Sequence, residues 1–464
     1  MSILGAVAVP HPPLIIPSVG QGREDGIGHT IIAYQKAMQF VSSLKPKTVV
    51  IVSPHATAYQ DYLHMSSGDM AEGDFSAFGA PDEKVTCRYD MKMVELLEEL
   101  CAKTHLSAGS YGERVYKLDH GTAIPLYFLN KFYKDYEVVR IGISGLSLGD
   151  HYRLGMLVKE ASELLDKRVV FIASGDLSHK LKDDGPYGYS AHGPVFDKKI
   201  VEIFKNANFL KLLSLSPHLC ESAAECGHRS FVMMAGALDR MEVTADFLSY
   251  EGPFGVGYAV ATFLPSTVNN DRDFLEQYEN SIKADIAAKR KQASIYVRLA
   301  LYTMEYFQKE RKNPPLPDFI EKEGQALLAN KAGVFVSIKK FHELRGCIGT
   351  ILPVTDSVAE EIMRNAIEAS NSDPRFPPIT YDELPYLEVS VDVLSQPQRV
   401  DSIDELDAKR YGVIVRAGNK CGLLLPNLEG VDTVNEQIRI CRQKGRIGED
   451  ETVTLERFEV VRYY

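Results

Sequence analysis

Three histidines stand just beyond short apolar runs: His11 after AVAVP, His55 after VVIVSP and His179 after VVFIASGDLS. A fourth, His120, lies in LDHGTAIPL between Asp119 and Gly121. Imidazoles gathered with a carboxylate suit a divalent ion with open positions, and two His plus one carboxylate is the facial pattern of non-haem Fe(II). Glu221 and Glu225 in CESAAECGHRSF offer that carboxylate, and Cys226 offers a thiol one position along. A single histidine at a strand end is more often a hydrogen-bonded structural residue than a ligand. Four of them in Pro- or Gly-punctuated segments favour one shared pocket. His29, His64, His105, His151 and His218 read as surface or core residues, with His192 and His228 intermediate. Of the 12 histidines only His342 lies beyond residue 228, so the second half has no evident metal site.

The elements that must position these residues alternate in type. Ser2–Val9, Thr48–Val52, Glu137–Ile143 and Arg168–Ala173 read as buried strands. Ile27–Leu44, Met91–Cys101 and Tyr152–Leu165 carry helical spacing, and Phe231–Leu238 is an apolar helical run. Strands alternating with helices argue for an α/β sheet covered on both faces. Ligands of such sheets bind outside the carboxyl ends of the strands, where side chains from separate strands converge. Gly175 is expected to allow a tight turn ahead of His179, and Asp119 to orient the ring of His120. Phe254–Phe263 reads as a closing strand.

One motif competes. Gly145-Leu146-Ser147-Leu148-Gly149 matches G-x-S-x-G between a strand and a helix, and Asp176 and His179 follow in the order of a serine hydrolase. It ranks lower, because Ser144-Gly145-Leu146 separate Ser147 from the strand and three histidines stay unexplained.

Composition excludes several classes. With 464 residues, 45% hydrophobic and 25% charged, the chain is expected to form two globular domains. A net charge of −11 argues against broad nucleic-acid binding. Seven cysteines without a C-x-x-C pair argue against a disulfide framework or structural zinc. The N-terminal apolar stretch is broken by Pro10, Pro12 and Pro13, and no run reaches the length of a membrane span, so the expectation is a cytoplasmic protein with no membrane partner.

Taken together, PHPP at His11, SPHA at His55, DHG at His120, SGDLSH at His179 and the downstream GPVFD resemble the Memo-like branch of the class III extradiol ring-cleavage dioxygenases, over about residues 1–265. The resemblance implies His11 and His55 as metal ligands and Glu225 as the third, His179 as the acid–base histidine and His120 as a further active-site residue. Dioxygenase relatives carry Glu as third ligand and Memo-like proteins Cys. Glu225-Cys226-Gly227-His228-Arg229 satisfies both, so Cys226 stands as the alternative. The implied cofactor is Fe(II) or another divalent ion, and the implied reactants are a small aromatic diol and O2.

The second half is strand-rich. Gly333–Lys339, Leu387–Val393 and Gly412–Arg416 run apolar or alternate, with one helical pattern at Val358–Ser370. Before them, Ile295, Leu299, Tyr302 and Tyr306 are spaced as the stripe of a helix. ELRGCIGT, SDPRFPPIT, LEVSVDVLS, GLLLP and CRQKGRIG resemble the AMMECR domain from about residue 285 onward. The fusion as a whole resembles the AmmeMemoRadiSam system protein A family. That resemblance implies a radical SAM protein as a partner, and it leaves open a non-catalytic metal-binding or scaffold role. Arg345 could bind a carboxylate or phosphate and Cys347 could act as a thiol nucleophile, although a small buried residue beside a tight turn is the preferred reading of Cys347. Asp373 and Arg375 are expected to pair. The expected architecture is an α/β domain at 1–268, with a central sheet flanked by helices, a linker at 269–284, and an α+β domain with an antiparallel sheet at 285–464.

Overall fold

The computed structural model describes residues 2–341, 343–428 and 430–464, so His342 lies outside the described residues. The chain divides into two compact units between Glu279 and Asn280. The first is built on β1 (Ile3–Val9), α1 (Gly28–Leu44), β2 (Thr48–Ser53), α2 (Met91–Lys103), α3 (His120–Leu129), β3 (Glu137–Gly142), α4 (Leu148–Leu164), β4 (Val169–Ser174), α5 (His192–Asn206), α6 (His228–Ala237), β5 (Met241–Glu251) and β6 (Tyr258–Val268).

The six strands lie in the order β3-β2-β4-β1-β6-β5. β3, β2, β4 and β1 are parallel, β6 pairs antiparallel with β1, and β5 pairs antiparallel with β6 at the edge. Alternate residues face opposite layers. Ala6, Ala8, Val50, Val52, Phe171 and Ala173 pack with α2, α4, α5 and α6. Val7, Val9, Val49, Ile51, Val170 and Ile172 pack with α1 and α3. Burial on both faces explains why these strands read as continuous β-branched runs. In register, Val9 pairs with Ser174 and Ser53 with Gly142, so the central parallel strands end at a common level.

The α/β reading of the first half therefore holds. Among the features that escaped it are helices α3 and α5, a hairpin at Met70–Phe75 and Ala80–Arg88, and the edge strand β5. The closing strand begins at Tyr258 rather than Phe254, because the chain is still turning at Gly255, with φ at +86°.

Residues 269–284 hold a short 3-10 turn and the start of α7 (Phe274–Lys291), a helix that runs across the division between the units. The second unit adds α8 (Ile295–Glu310), β7 (Val334–Lys340), β8 (Glu343–Gly349), α9 (Val358–Asn371), β9 (Leu387–Leu394), β10 (Gln398–Val400), β11 (Gly412–Ala417), β12 (Lys420–Leu424), α10 (Val434–Gly445), β13 (Thr454–Phe458) and β14 (Val460–Tyr463). Two antiparallel sheets form, β8-β7-β9-β14 and β10-β13-β11-β12, in keeping with the α+β expectation. Val334, Val336, Ile338 and Val391 pack against α8 and α9. The buried face of α8 is Val297, Leu299, Ala300 and Met304, whereas Tyr302 and Tyr306 flank it, so the proposed stripe was rotated. Helix α10 was not foreseen. Its polar sequence buries Gln437 and Cys441 alone. Among the described residues no helix is long and apolar enough to cross a membrane.

Candidate metal centre

The adjacent strands β2, β4 and β1 deliver their carboxyl-end residues to one place. His11 follows β1 and is almost fully buried. Its backbone N–H donates to Asp176 Oδ1 at 2.8 Å, and its Nδ1 lies 2.9 Å from Ser174 Oγ. Those contacts orient the ring and leave Nε2 facing inward. His55 follows β2 on the exposed side, with its Nε2 3.0 Å from His11 Nε2. The His55 backbone N–H donates to Ser53 Oγ, which itself donates to Asp119. Asp119 is braced by Thr122 and by an ion pair with the fully buried Arg140, 3.2 Å away. Burial acts to raise the Asp119 carboxyl, but Arg140, Ser53 and Thr122 outweigh it and hold it low.

Asp119 thus caps α3 and fixes the turn under His55. Its hydrogen bonds run to Ser53 and Thr122, and the expected bond to the His120 ring is not among them. His120 enters from the first turn of α3, with ring centroids 4.1 Å from His55 and 5.3 Å from His11. A Cβ on Gly121 would meet Ser53 Oγ at 2.4 Å, so glycine is needed there for space.

The fourth contributor comes from the segment before α6. Cys226 Sγ lies 3.6 Å from His11 Nε2 and accepts from the Asp176 backbone N–H at 3.3 Å. His11, His55 and Cys226 form one group with their ligand atoms within 4.8 Å of one another, and Asp176, His179 and Cys226 form another. Glu225 turns away. Its carboxylate accepts from the His228 backbone N–H at 2.6 Å, and it groups with Cys220 and His228 instead. The structure thus brings Cys226, and not Glu225, to the two histidines.

What holds the segment is a backbone contact. A Cβ at Gly175 would lie 2.1 Å from Gly227 Cα. Gly175 is therefore required for close approach, and its φ lies outside the left-handed region that a glycine-dependent turn would need.

The donor set fits a single metal ion. Two imidazole nitrogens about 2.1 Å from one ion stand about 3.0 Å apart at a right angle, and a nitrogen and a thiolate at about 2.1 and 2.3 Å stand about 3.6 Å apart at a tetrahedral angle. Those are the separations of His11 from His55 and from Cys226. Burial, with His55 next, lowers the His11 pKa to about 3, and burial lowers His120 to about 3. Both rings are neutral at pH 7 and need lose no proton to bind a cation. Burial also raises the Cys226 thiol well above its ordinary range, so a cation there would have to displace that proton.

Burial lowers the His179 pKa too, and the ring stacks on Tyr187 at 5.0 Å between centroids. Asp176 is buried and pushed up to about 6 by that burial. Asp176 and Arg140 are the residues that the pattern reading undervalued. Asp176 shares SGDLSH with His179, and Arg140 is a charge inside an apolar strand, a placement that demands a buried partner.

Ser147 lies elsewhere in the architecture. It caps α4, accepting from the Asp150 backbone N–H and donating to Asp150 Oδ2 at 2.7 Å, and no hydrolase triad surrounds it among the described residues. In the second unit, Arg345 forms a two-pronged pair with Glu383 at 3.0 and 2.9 Å and donates to the Pro377 carbonyl. Cys347 is half-buried, with Sγ 3.2 Å from Ser337 Oγ and its backbone N–H on Asp373. Asp373 and Arg375 pair at 2.6 Å, as expected.

Comparison with known proteins agrees with this architecture. Residues 5–261 match the family described as the catalytic LigB subunit of aromatic ring-opening dioxygenase, and residues 297–463 match AMMECR1. A protein of Clostridium acetobutylicum is 41% identical over 480 residues, covering 100% of this chain and 99% of its own. A Thermotoga maritima protein is 47% identical over 170 residues, 36% of this chain and 96% of that protein. A crystal structure from Pyrococcus horikoshii, 28% identical, covers 37% of this chain and 90% of its own with a TM-score of 0.33. The chain belongs to the LigB family of Memo-like, extradiol-dioxygenase-type proteins, with an AMMECR1 domain fused behind the LigB domain.

Proposed function

We propose that the first unit holds one Fe(II), or a similar divalent ion, through His11, His55 and Cys226 and oxidises a small aromatic diol with O2. The observation that carries this reading is the convergence of two imidazole nitrogens and a thiol outside the ends of parallel strands. The ion, when bound, supplies a Lewis-acidic and redox-active centre open to substrate and O2. The remaining roles fall to the chain's own groups. Substrate enters on the exposed side, past His55. His179, neutral at pH 7 because of burial, accepts a proton from a diol hydroxyl at its free ring nitrogen and later returns it. The stacked Tyr187 ring fixes the plane of that imidazole. His120, neutral and edge-on to Phe78 at 5.3 Å, offers a hydrogen bond to the substrate beside an apolar wall.

Metal analysis of anaerobically purified protein tests the reading, with O2 uptake measured on catechol. Wild type and Glu225→Gln are expected to carry about one ion per chain, and Cys226→Ala to lose most of it. His179→Ala should keep the ion and lose O2 uptake. Loss of the ion from His179→Ala, or uptake that survives the substitution, overturns its role. A second reading rests on the thiol: a thiolate in place of a carboxylate suits Zn(II). The unit would then be a non-catalytic metal-holding protein that binds a partner, a radical SAM protein of the same system being the first to test. Zinc in the purified protein, with no O2 uptake, selects it.

A further inference from the structure

The second unit carries a half-open cavity of about 480 Å³ that the metal centre does not use, within the range of roughly 300–1,000 Å³ typical of small-molecule sites. One side is apolar, with side chains from Ile286 of α7 and from Val297 and Leu301 of α8, while Leu387 and Val389 of β9 border the cavity with side chains that turn into the core beside Val391. The other side is polar for a topological reason. Val336, Ile338 and Val391 turn into the core, so the alternation of β7 and β9 turns Ser337, Lys339, Glu388 and Ser390 the other way. Ser337 stands directly across from Ser390, and Lys339 from Glu388.

Four cationic side chains line the cavity, Lys289, Arg290, Lys339 and Arg462, against one acidic side chain, Glu388. That excess runs counter to a chain whose net charge is −11. Two of the four are already compensated: Arg462 by Asp392 at 2.7 and 2.8 Å, and Lys289 by Glu388 at 2.6 Å. The other two make no ion pair among the described residues, although Glu305 acts on Arg290 from farther off. Lys339 is exposed and makes no ion pair among the described residues. Arg290 donates through Nη2 to the carbonyls of Leu384 and Leu387, which anchors the guanidinium without neutralising it.

We propose that this cavity binds a small organic anion, its acidic head on Lys339, Arg290 and the two serines and its apolar body against Ile286, Val297 and Leu301. A carboxylate and a phosphate monoester share that chemistry, and one measurement separates them. The chain contains no Trp, so Leu301→Trp in the full-length protein places the sole indole on the cavity wall. Its emission is followed while phenyl phosphate, benzoate or the neutral benzyl alcohol is added, and calorimetry on the unsubstituted chain repeats the titrations without the reporter. At least one anion should saturate, with benzyl alcohol weaker by about tenfold or more, and the tighter anion identifies the head group. Lys339→Gln, which removes the charge at an exposed position without setting like charges across from Glu388, should leave the urea midpoint unchanged and weaken the anion by about tenfold or more. Absence of saturation with both anions, equal binding of benzyl alcohol, or undiminished binding by Lys339→Gln overturns the proposal.

Discussion

Replacing Gly175 with alanine separates the geometry of the metal centre from its chemistry, since the substitution adds one methyl group and removes no ligand. The new Cβ would lie 2.1 Å from Gly227 Cα, whereas ordinary contacts begin at 3.4 Å. One backbone must therefore retreat by about 1.3 Å, the difference between those two distances. The segment that yields carries Cys226, since Gly175 is tied to β1 by its N–H on the Val9 carbonyl. Coordination distances tolerate about 0.2 Å, so a shift several times larger takes Sγ out of reach of an ion held by His11 and His55. Affinity for Fe(II) or Zn(II) should fall by about 10–100-fold, as when a ligand loses its support. The ion-free protein should lose about 1–3 kcal/mol from overpacking. The assay is an anaerobic competition titration against a chromophoric chelator, paired with urea unfolding of ion-free protein. Gly28→Ala is the control, because a Cβ there meets open space at the start of α1. Binding by Gly175→Ala within about twofold of wild type would refute the reasoning, because Cys226 would then be dispensable or held by another contact.

Two further outcomes follow from other parts of the molecule. Ser147→Ala should cost about 1 kcal/mol in urea unfolding, the loss of a helix cap, and leave metal content and O2 uptake unchanged. Labelling of Ser147 by a fluorophosphonate would restore a nucleophilic role and sink that assignment. In the second unit, burial acts to raise the Glu383 carboxyl, but the bonds from Arg345 and Lys340 outweigh it and bring it down to about 2 from 4.5. A depressed carboxylate stabilises the fold above pH 4.5, and that stability is lost as pH falls through about 2. Arg345→Met should thus destabilise by about 3 kcal/mol at pH 7, with the gap to wild type narrower by about 1–2 kcal/mol at pH 3. A gap equal at both pH values would show that the pair is not its source.

Much of the candidate centre was legible before the fold was known. TVVIV and RVVFIA are β-branched runs cut short by Pro or Gly, which a two-sided parallel sheet produces and which places His55 and His179 beyond strand ends. The hairpin at Met70–Arg88 was harder to read, because burial on one face leaves Glu72, Asp82 and Lys84 among its residues and dilutes the apolar signal. Strand β5 does carry a usable signal, Met241, Val243, Ala245 and Phe247 at a period of two. Helix α10 also carries one, Val434, Ile438 and Cys441 at helical spacing, but seven polar side chains in its twelve residues dilute it.

The sequence by itself determined the residue types, their order and their attachment to strand ends, because hydrophobic period and Pro or Gly punctuation are local properties of the chain. It pointed to an imidazole pocket in the first half, and it narrowed the residue that joins the two histidines there to two neighbours, Glu225 and Cys226. Only the tertiary structure chose between them. Adjacent residues point in different directions, and which one faces His11 depends on the contact of Gly175 with Gly227, two glycines 52 positions apart, and on the start of α6 at His228, whose N–H draws the Glu225 carboxylate away. Such long-range steric choices leave no period in the sequence, because they arise from backbones that meet only once the sheet has formed.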